Sequence, residues 1–278
     1  MNTQKKIRAL VLSVGCVILF IIILVLLAQV KNLIPHKFER YTHGIFGTIA
    51  AISSVWIFLR YKKKTFGDIG LIWQKRTLQK FIIGLAVGIV MGALMIYTQV
   101  LISGLQITLS DDYNITSFLI WSSALIPLAF MEEVAFRSYP FIKLNRVFGL
   151  RITQIIMAIL FALFHVANGW SIGLSFLGPG IWALAYGLSA ILSNGISMPT
   201  GLHYGVNLIL AAISTQSGIN GIWTIDFPTK VSETALKTNE NVGTAIQIGL
   251  LIICVIATEL YLRNRKNTAN NIYETKLK

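Results

Sequence analysis

Charge is what this sequence has least of. Asp, Glu, Lys and Arg make up 13% of its 278 residues, against about 25% in an ordinary soluble domain. No Gly/Pro-rich disorder makes up the difference. Cysteine is nearly absent: Cys16 and Cys254 both fall in apolar blocks, decide nothing about disulfides and are too few for a Cys-rich metal site. Acids are scarce beside bases, 11 against 24, for a net charge of +13. In a soluble protein that balance suggests nucleic acid, but here the bases crowd the ends of apolar blocks, where control of membrane topology accounts for them.

What the chain does have is long apolar runs. Residues 9–30 carry no charge. About 20 apolar residues at 1.5 Å each cross a hydrocarbon core of roughly 30 Å. A secretory signal has an apolar stretch of only about 7–15 residues, so this run reads as a retained first span. Eight spans are expected in all, at 9–30, 42–60, 81–105, 117–136, 152–168, 171–192, 198–214 and 243–262. The fold class is all-α, a polytopic membrane bundle of about eight helices. Residues 1–80 hold two spans and a basic loop, 81–262 the membrane core, and 263–278 a basic tail. The longest polar stretches, 61–80 and 215–242, are too short for a soluble domain.

Lys and Arg set the orientation. With the N-terminus in the cytoplasm, 19 of the 24 basic residues fall on the inner side and five outside, namely Lys31, Lys37, Arg40, Lys230 and Lys237. Both termini are therefore expected to be cytoplasmic in a multi-pass cell-membrane protein. The run 61–64 reads as a stop-transfer signal at the headgroups.

Ionisable residues inside spans are costly and mark function by default. Here they are Glu132, Glu133 and Arg137 in LAFMEEVAFRSYPF, His165 in LFALFHVANG, and His203 with Asn207 in TGLHYGVNL. On a helix Glu133 and Arg137 stand at the favourable ion-pair spacing. Glu132 is turned about 100° away and faces a polar cavity, suited to general-base work. Pro140 ends or breaks that helix. The plainer reading is a salt-bridged cluster, although two acids against one Arg leave a surplus charge. Phe161 lies one turn before His165 and forms an aromatic wall; the plainer reading of His165 is a hydrogen-bonded residue near the membrane surface. His203 and Asn207 share one helix face that begins near Pro199, after a tight turn at Asn194 and Gly195. They could hold an oxyanion or bond between helices. An acid pair, a histidine and a His/Asn face make a full set for amide hydrolysis, and no Ser or Cys stands beside a base.

EEVAFR fits EExxxR, FALFH fits FxxxH and HYGVN fits HxxxN. In this order on successive spans, over about residues 117–214, the chain resembles the CPBP family, the CAAX proteases and bacteriocin-processing enzymes also called Abi proteins. TFGDIGL at 65–71 is similar to a further segment common in the family. The resemblance implies a helical intramembrane endopeptidase. In it Glu132 activates water with the help of His165, His203 and Asn207 form the oxyanion hole, and Glu133 and Arg137 support them. It implies a membrane-associated peptide or protein as substrate, in CAAX processing, bacteriocin processing or self-immunity. Many members are labelled metalloproteases. The chain lacks HExxH, and Glu132, His165 and His203 could supply only a mixed ligand set for a divalent metal such as zinc; metal-free catalysis is the preferred expectation. The rivals are a non-catalytic membrane scaffold or regulator of a signalling or transport partner, and a proton-coupled transporter. The transporter is disfavoured because no short helix pair recurs in corresponding halves. No nucleic-acid partner is expected.

Overall fold

The computed structural model describes residues 3–30, 34–35, 38–213, 221–228 and 232–276, with side chains as far as 265. Lys31, His36, Lys37 and Lys230, and the side chains of Lys266, Lys276 and Lys278, lie outside the described residues, and so does the end of the span expected at 198–214. Eleven α-helices are described: α1 (Thr3–Ala28), α2 (Glu39–Tyr61), α3 (Thr77–Ser103), α4 (Ile115–Ser123), α5 (Leu125–Arg137), α6 (Tyr139–Phe148), α7 (Leu150–Ala167), α8 (Ile172–Ser175), α9 (Ile181–Ser193), α10 (Ser197–Ala212) and α11 (Glu233–Lys276). Among the described residues seven helical runs are long and apolar enough to cross a membrane. The chain is a multi-pass helical bundle.

The helices are apolar on every side, so burial, more than hydropathy, separates the inner from the lipid-facing side. On α1, Ala9, Ser13, Cys16, Val17, Phe20 and Leu24 are buried, one stripe at helical spacing, while Val11, Ile18 and Leu26 are at least half exposed. The stripe packs on α2 and α6, and Ser13 Oγ–H donates to the Pro140 carbonyl at 3.2 Å.

Glycine sets the closest approaches. Gly84 and Gly88 of α3 lie along the stretch of α10 that holds Gly201 and Gly205, and Gly92 lies against Ile209. A Cβ on Gly84 would lie 2.1 Å from the Met198 carbonyl oxygen, on Gly88 2.2 Å from that of Leu202, and on Gly201 2.1 Å from that of Phe81. Small residues four apart let two backbones meet where lipid offers no hydrophobic gain for association. The same device joins α2 to α5, where a Cβ on Gly47 would run into the Met131 sulfur. α10 is only 16 residues long, shorter than a standard span, and it is held against α3 rather than exposed to lipid.

Three features depart from the sequence expectations. The span expected at 117–136 is a broken run, α4, α5 and α6, that continues to Phe148. The helix stops at Arg137, ahead of Pro140. Ser138 leaves helical geometry (φ −88°, ψ −117°), and Pro140 falls in the first turn of α6, where its missing N–H has no partner to lose. The bundle is also not purely helical. Gln106–Leu109 (β1) pairs antiparallel with Trp223–Asp226 (β2), Gln106 opposite Asp226 and Leu109 opposite Trp223. Four-residue strands flanked by helices give too short an alternation to stand out beside long spans. Finally, α8 passes into α9 through a single π-helical turn, Phe176–Gly180, that contains Pro179; a π-bulge accommodates the lost donor.

The last span is fastened by polar contacts. Arg151 binds Glu259 bidentately at 2.5 and 2.6 Å. Thr258 Oγ1–H donates to Gln154 at 3.0 Å, and the Gln154 amide donates to the Leu184 carbonyl at 3.3 Å, tying α7, α9 and α11. Cys16 and Cys254 are free and buried.

Candidate active site

α5 carries the acid pair, α7 carries Phe161 and His165, and α10 carries His203 and Asn207. Glu133 and Arg137 make the expected i,i+4 contact, Oε2 to Nε at 3.3 Å, with the two side chains 0% and 1% exposed. It is a contact of charges without hydrogen-bond alignment, since both atoms are buried and lack an aligned partner among the described residues. The Arg137 guanidinium lies over three aromatic rings, 4.3 Å from Phe161, 5.2 Å from Tyr186 and 5.8 Å from Phe136. Cation–π attraction of this kind strengthens when water is excluded.

The other oxygen of Glu133 takes up His203. Glu133 Oε1 is 2.9 Å from His203 Nδ1. An ionised carboxylate only accepts, so Nδ1–H donates. Nε2 on the far side of the ring is 3.8 Å from Glu132 Oε2. That is too long for a hydrogen bond and of a length at which a third group commonly mediates. Glu132 Oε2 is itself buried with no hydrogen-bond partner among the described residues, although the side chain as a whole is 13% exposed. The imidazole of His203 therefore stands between the two acids, bonded to one and facing the other. The spacing on α5 accounts for this: successive residues diverge by about 100°, so Glu133 reaches both Arg137 and one edge of the His203 ring while Glu132 meets the other edge.

His165 is reached through Phe161. Its Nδ1–H donates to the Phe161 carbonyl at 2.9 Å, so a neutral ring presents Nε2 as an acceptor. The Phe161 ring stands edge-on to His165 at 4.7 Å and to His203 at 6.2 Å, and Trp170 and Phe164 also stand edge-on to His165 at 5.4 and 5.5 Å. Both histidines and Arg137 thus border one aromatic ring. Asn207 lies one turn beyond His203 on α10, half-buried.

Two findings go beyond the sequence expectations. Glu133 is joined to His203 as well as to Arg137, a link between spans that helix spacing cannot disclose. Tyr186 of α9 lies flat on His203, 4.5 Å between centroids and 15° from parallel, and is buried. It stands in an apolar run with no signal of its own; only the packing of α9 against α10 brings it in. Glu132 does not line the cavity bounded by Ile52, Phe66 and Phe130. Among the described residues no three His, Cys, Asp or Glu side chains are grouped so as to hold a metal ion.

No curated protein matches the chain. Residues 114–209, about a third of the chain, match the sequence profile of a family described as Rce1-like, type II CAAX prenyl endopeptidase Rce1-like. The matched stretch runs from α4 through α10 and contains all three polar motifs. The resemblance read from those motifs and the match agree: over residues 114–209 the chain is similar to the Rce1-like family of type II CAAX prenyl endopeptidases.

Proposed function

We propose that the chain hydrolyses a peptide bond of a membrane-associated peptide or protein with water activated by Glu132. The observation that carries this reading is the buried, unpartnered Glu132 Oε2 facing His203 Nε2 across 3.8 Å. An orphaned buried carboxylate oxygen is costly, and a water molecule bound in the reacting complex would satisfy it.

In the proposed reaction Glu132 takes a proton from water as the oxygen attacks the scissile carbonyl carbon. The carbonyl π pair moves to its oxygen, and the resulting oxyanion takes hydrogen bonds from His203 Nε2–H and the Asn207 amide. Glu133 accepts from Nδ1–H, so the doubly protonated ring is the form that donates at Nε2. Glu132 then returns its proton to the amide nitrogen as the oxyanion pair re-forms the carbonyl and the C–N bond breaks, leaving a carboxylic acid and an amine. His165 assists through its Nε2 acceptor. Glu133 and Arg137 orient His203 and balance its charge. No step passes through a metal. The substrate classes in view are a CAAX-type tail and a bacteriocin-related or leader peptide, cut from the cytoplasmic side with both termini of the chain in the cytoplasm.

The test is cleavage of a membrane-peptide library by the full chain in proteoliposomes. Glu132→Gln keeps shape and hydrogen bonding and should lower cleavage by roughly a hundredfold or more, the usual scale of general-base catalysis, with folding unchanged. Activity should survive a chelator. Full activity of Glu132→Gln would overturn the role of Glu132, and chelator-sensitive activity the metal-free mechanism.

A further inference from the structure

Apart from the acid pair, a cavity of about 380 Å³ opens where α2 has ended and α3 begins, within the roughly 300–1,000 Å³ of small-ligand sites. Its walls are apolar: Ile52 of α2, Phe66 and Leu71 of the connecting loop, Phe130 of α5, and Ile196 ahead of α10. The loop wall is built by its own backbone. Phe66–Ile69 is a 3₁₀ turn closed by Gly70 in the left-handed region (φ +69°), where a Cβ would lie 3.2 Å from the Asn194 carbonyl oxygen. The loop thus lies against the turn between α9 and α10. The Thr65 N–H and Oγ1–H donate to Asp68 at 2.8 and 3.0 Å, and Lys64 pairs with the same carboxylate at 3.2 Å. The acid of this loop is therefore already matched.

The rim has a different character. Lys80, in the first turn of α3, lines the cavity, and its ammonium makes no ion pair or hydrogen bond among the described residues. Trp73, also at the rim, is 78% exposed, and Ile72 beside it 49%. An exposed tryptophan at a span end belongs to the headgroup boundary. An apolar body with an unpaired cation at headgroup level is the complement of an amphiphile with one anionic head and a long apolar tail.

We infer that this cavity binds an anionic phospholipid, with an acyl chain between Phe66, Ile52 and Phe130 and the phosphate on Lys80. The bilayer supplies such a molecule at that depth. A chain arriving from lipid has no water contact to lose, so selection rests on the headgroup and Lys80. The inference stands apart from the protease chemistry.

The test is native mass spectrometry of the full chain in neutral detergent with equal phosphatidylglycerol and phosphatidylcholine. The wild type should retain phosphatidylglycerol over phosphatidylcholine by about fivefold, the fold-change for one cation near an anionic head. Lys80→Gln, at a partly exposed position, should remove the preference. Ile196→Trp should fill the cavity and lower retention of both lipids. Glycerol 3-phosphate, a head without chains, should not be retained at the same concentration. Equal retention of the two lipids by wild type, an unchanged preference in Lys80→Gln, or retention of glycerol 3-phosphate would overturn the inference. If Ile196→Trp fails to fold, Lys80→Gln decides it alone.

Discussion

The ring of Tyr186 lies on the ring of His203, 15° from parallel and 4.5 Å between centroids, although Tyr186 belongs to none of the three motifs. Together with the Glu133 contact at Nδ1, this stack fixes both the plane and the rotation of the imidazole. Aromatic pairs contribute about 0.5–1.5 kcal/mol beyond burial. Tyr186→Leu should therefore reduce cleavage by roughly threefold to tenfold, chiefly in kcat, whereas Tyr186→Phe keeps the stack and should stay near wild type. Equal loss in both would assign the effect to the hydroxyl.

The two adjacent acids should respond differently to removal. Glu133→Ala leaves Arg137 buried without its counter-charge, a loss of about 3–5 kcal/mol for a broken buried pair. The expected result is low expression and a depressed unfolding temperature in detergent, where Glu132→Gln expresses and unfolds like wild type. A Glu133→Ala protein that expresses and unfolds like wild type would contradict this division.

The α3–α10 seam should tolerate no added side chain. Gly88→Leu would drive a Cβ into the Leu202 carbonyl, one residue before His203, and should cost roughly 1–3 kcal/mol of overpacking together with most of the activity. Gly173→Ala, with nothing within 4 Å of the added atom, is the matched control and should be silent in both the thermal melt and the cleavage assay.

Asp68 supplies a pH-dependent contact outside the spans. The Thr65 backbone N–H holds its carboxyl below the usual range, aided by the side chains of Lys64 and Thr65. A lowered folded pKa means the contribution is complete above the ordinary carboxylate value, near 3.9, and is lost as pH falls below it. Hydrogen exchange of the amides at 65–70 should accelerate in that acid range in wild type. In Asp68→Asn it should be faster already at neutral pH and much less dependent on acidification.

The long apolar runs were legible because lipid requires them: a backbone in hydrocarbon must close its own hydrogen bonds and present apolar side chains, so spans reveal themselves by composition. The Glu133–Arg137 contact was legible for a related reason, since both groups ride on one helix whose geometry is known in advance. Helix spacing also separated Glu132 from Glu133. It could not show that Glu133 would reach His203, because that contact crosses 70 residues of chain and depends on how α5 and α10 lean together.

The short pairing of Gln106–Leu109 with Trp223–Asp226 leaves no mark on the sequence, because four residues are too few to display a period and their partners lie more than a hundred positions apart. Gly84, Gly88, Gly92, Gly201 and Gly205 were in plain sight at four-residue spacing. Such spacing signals a close helix contact, but it does not say which helix is the partner.

Sequence alone determined that this chain is a membrane bundle, where its polar groups interrupt the spans, and which family its central region resembles. All of these are properties of composition or of residues within one helix turn. Tertiary structure alone decided that His203 stands between the acids, that Tyr186 backs it, and that an unpaired Lys80 rims an apolar cavity. Those depend on the distances between helices, which are set by side-chain volumes at contacts far apart in the chain.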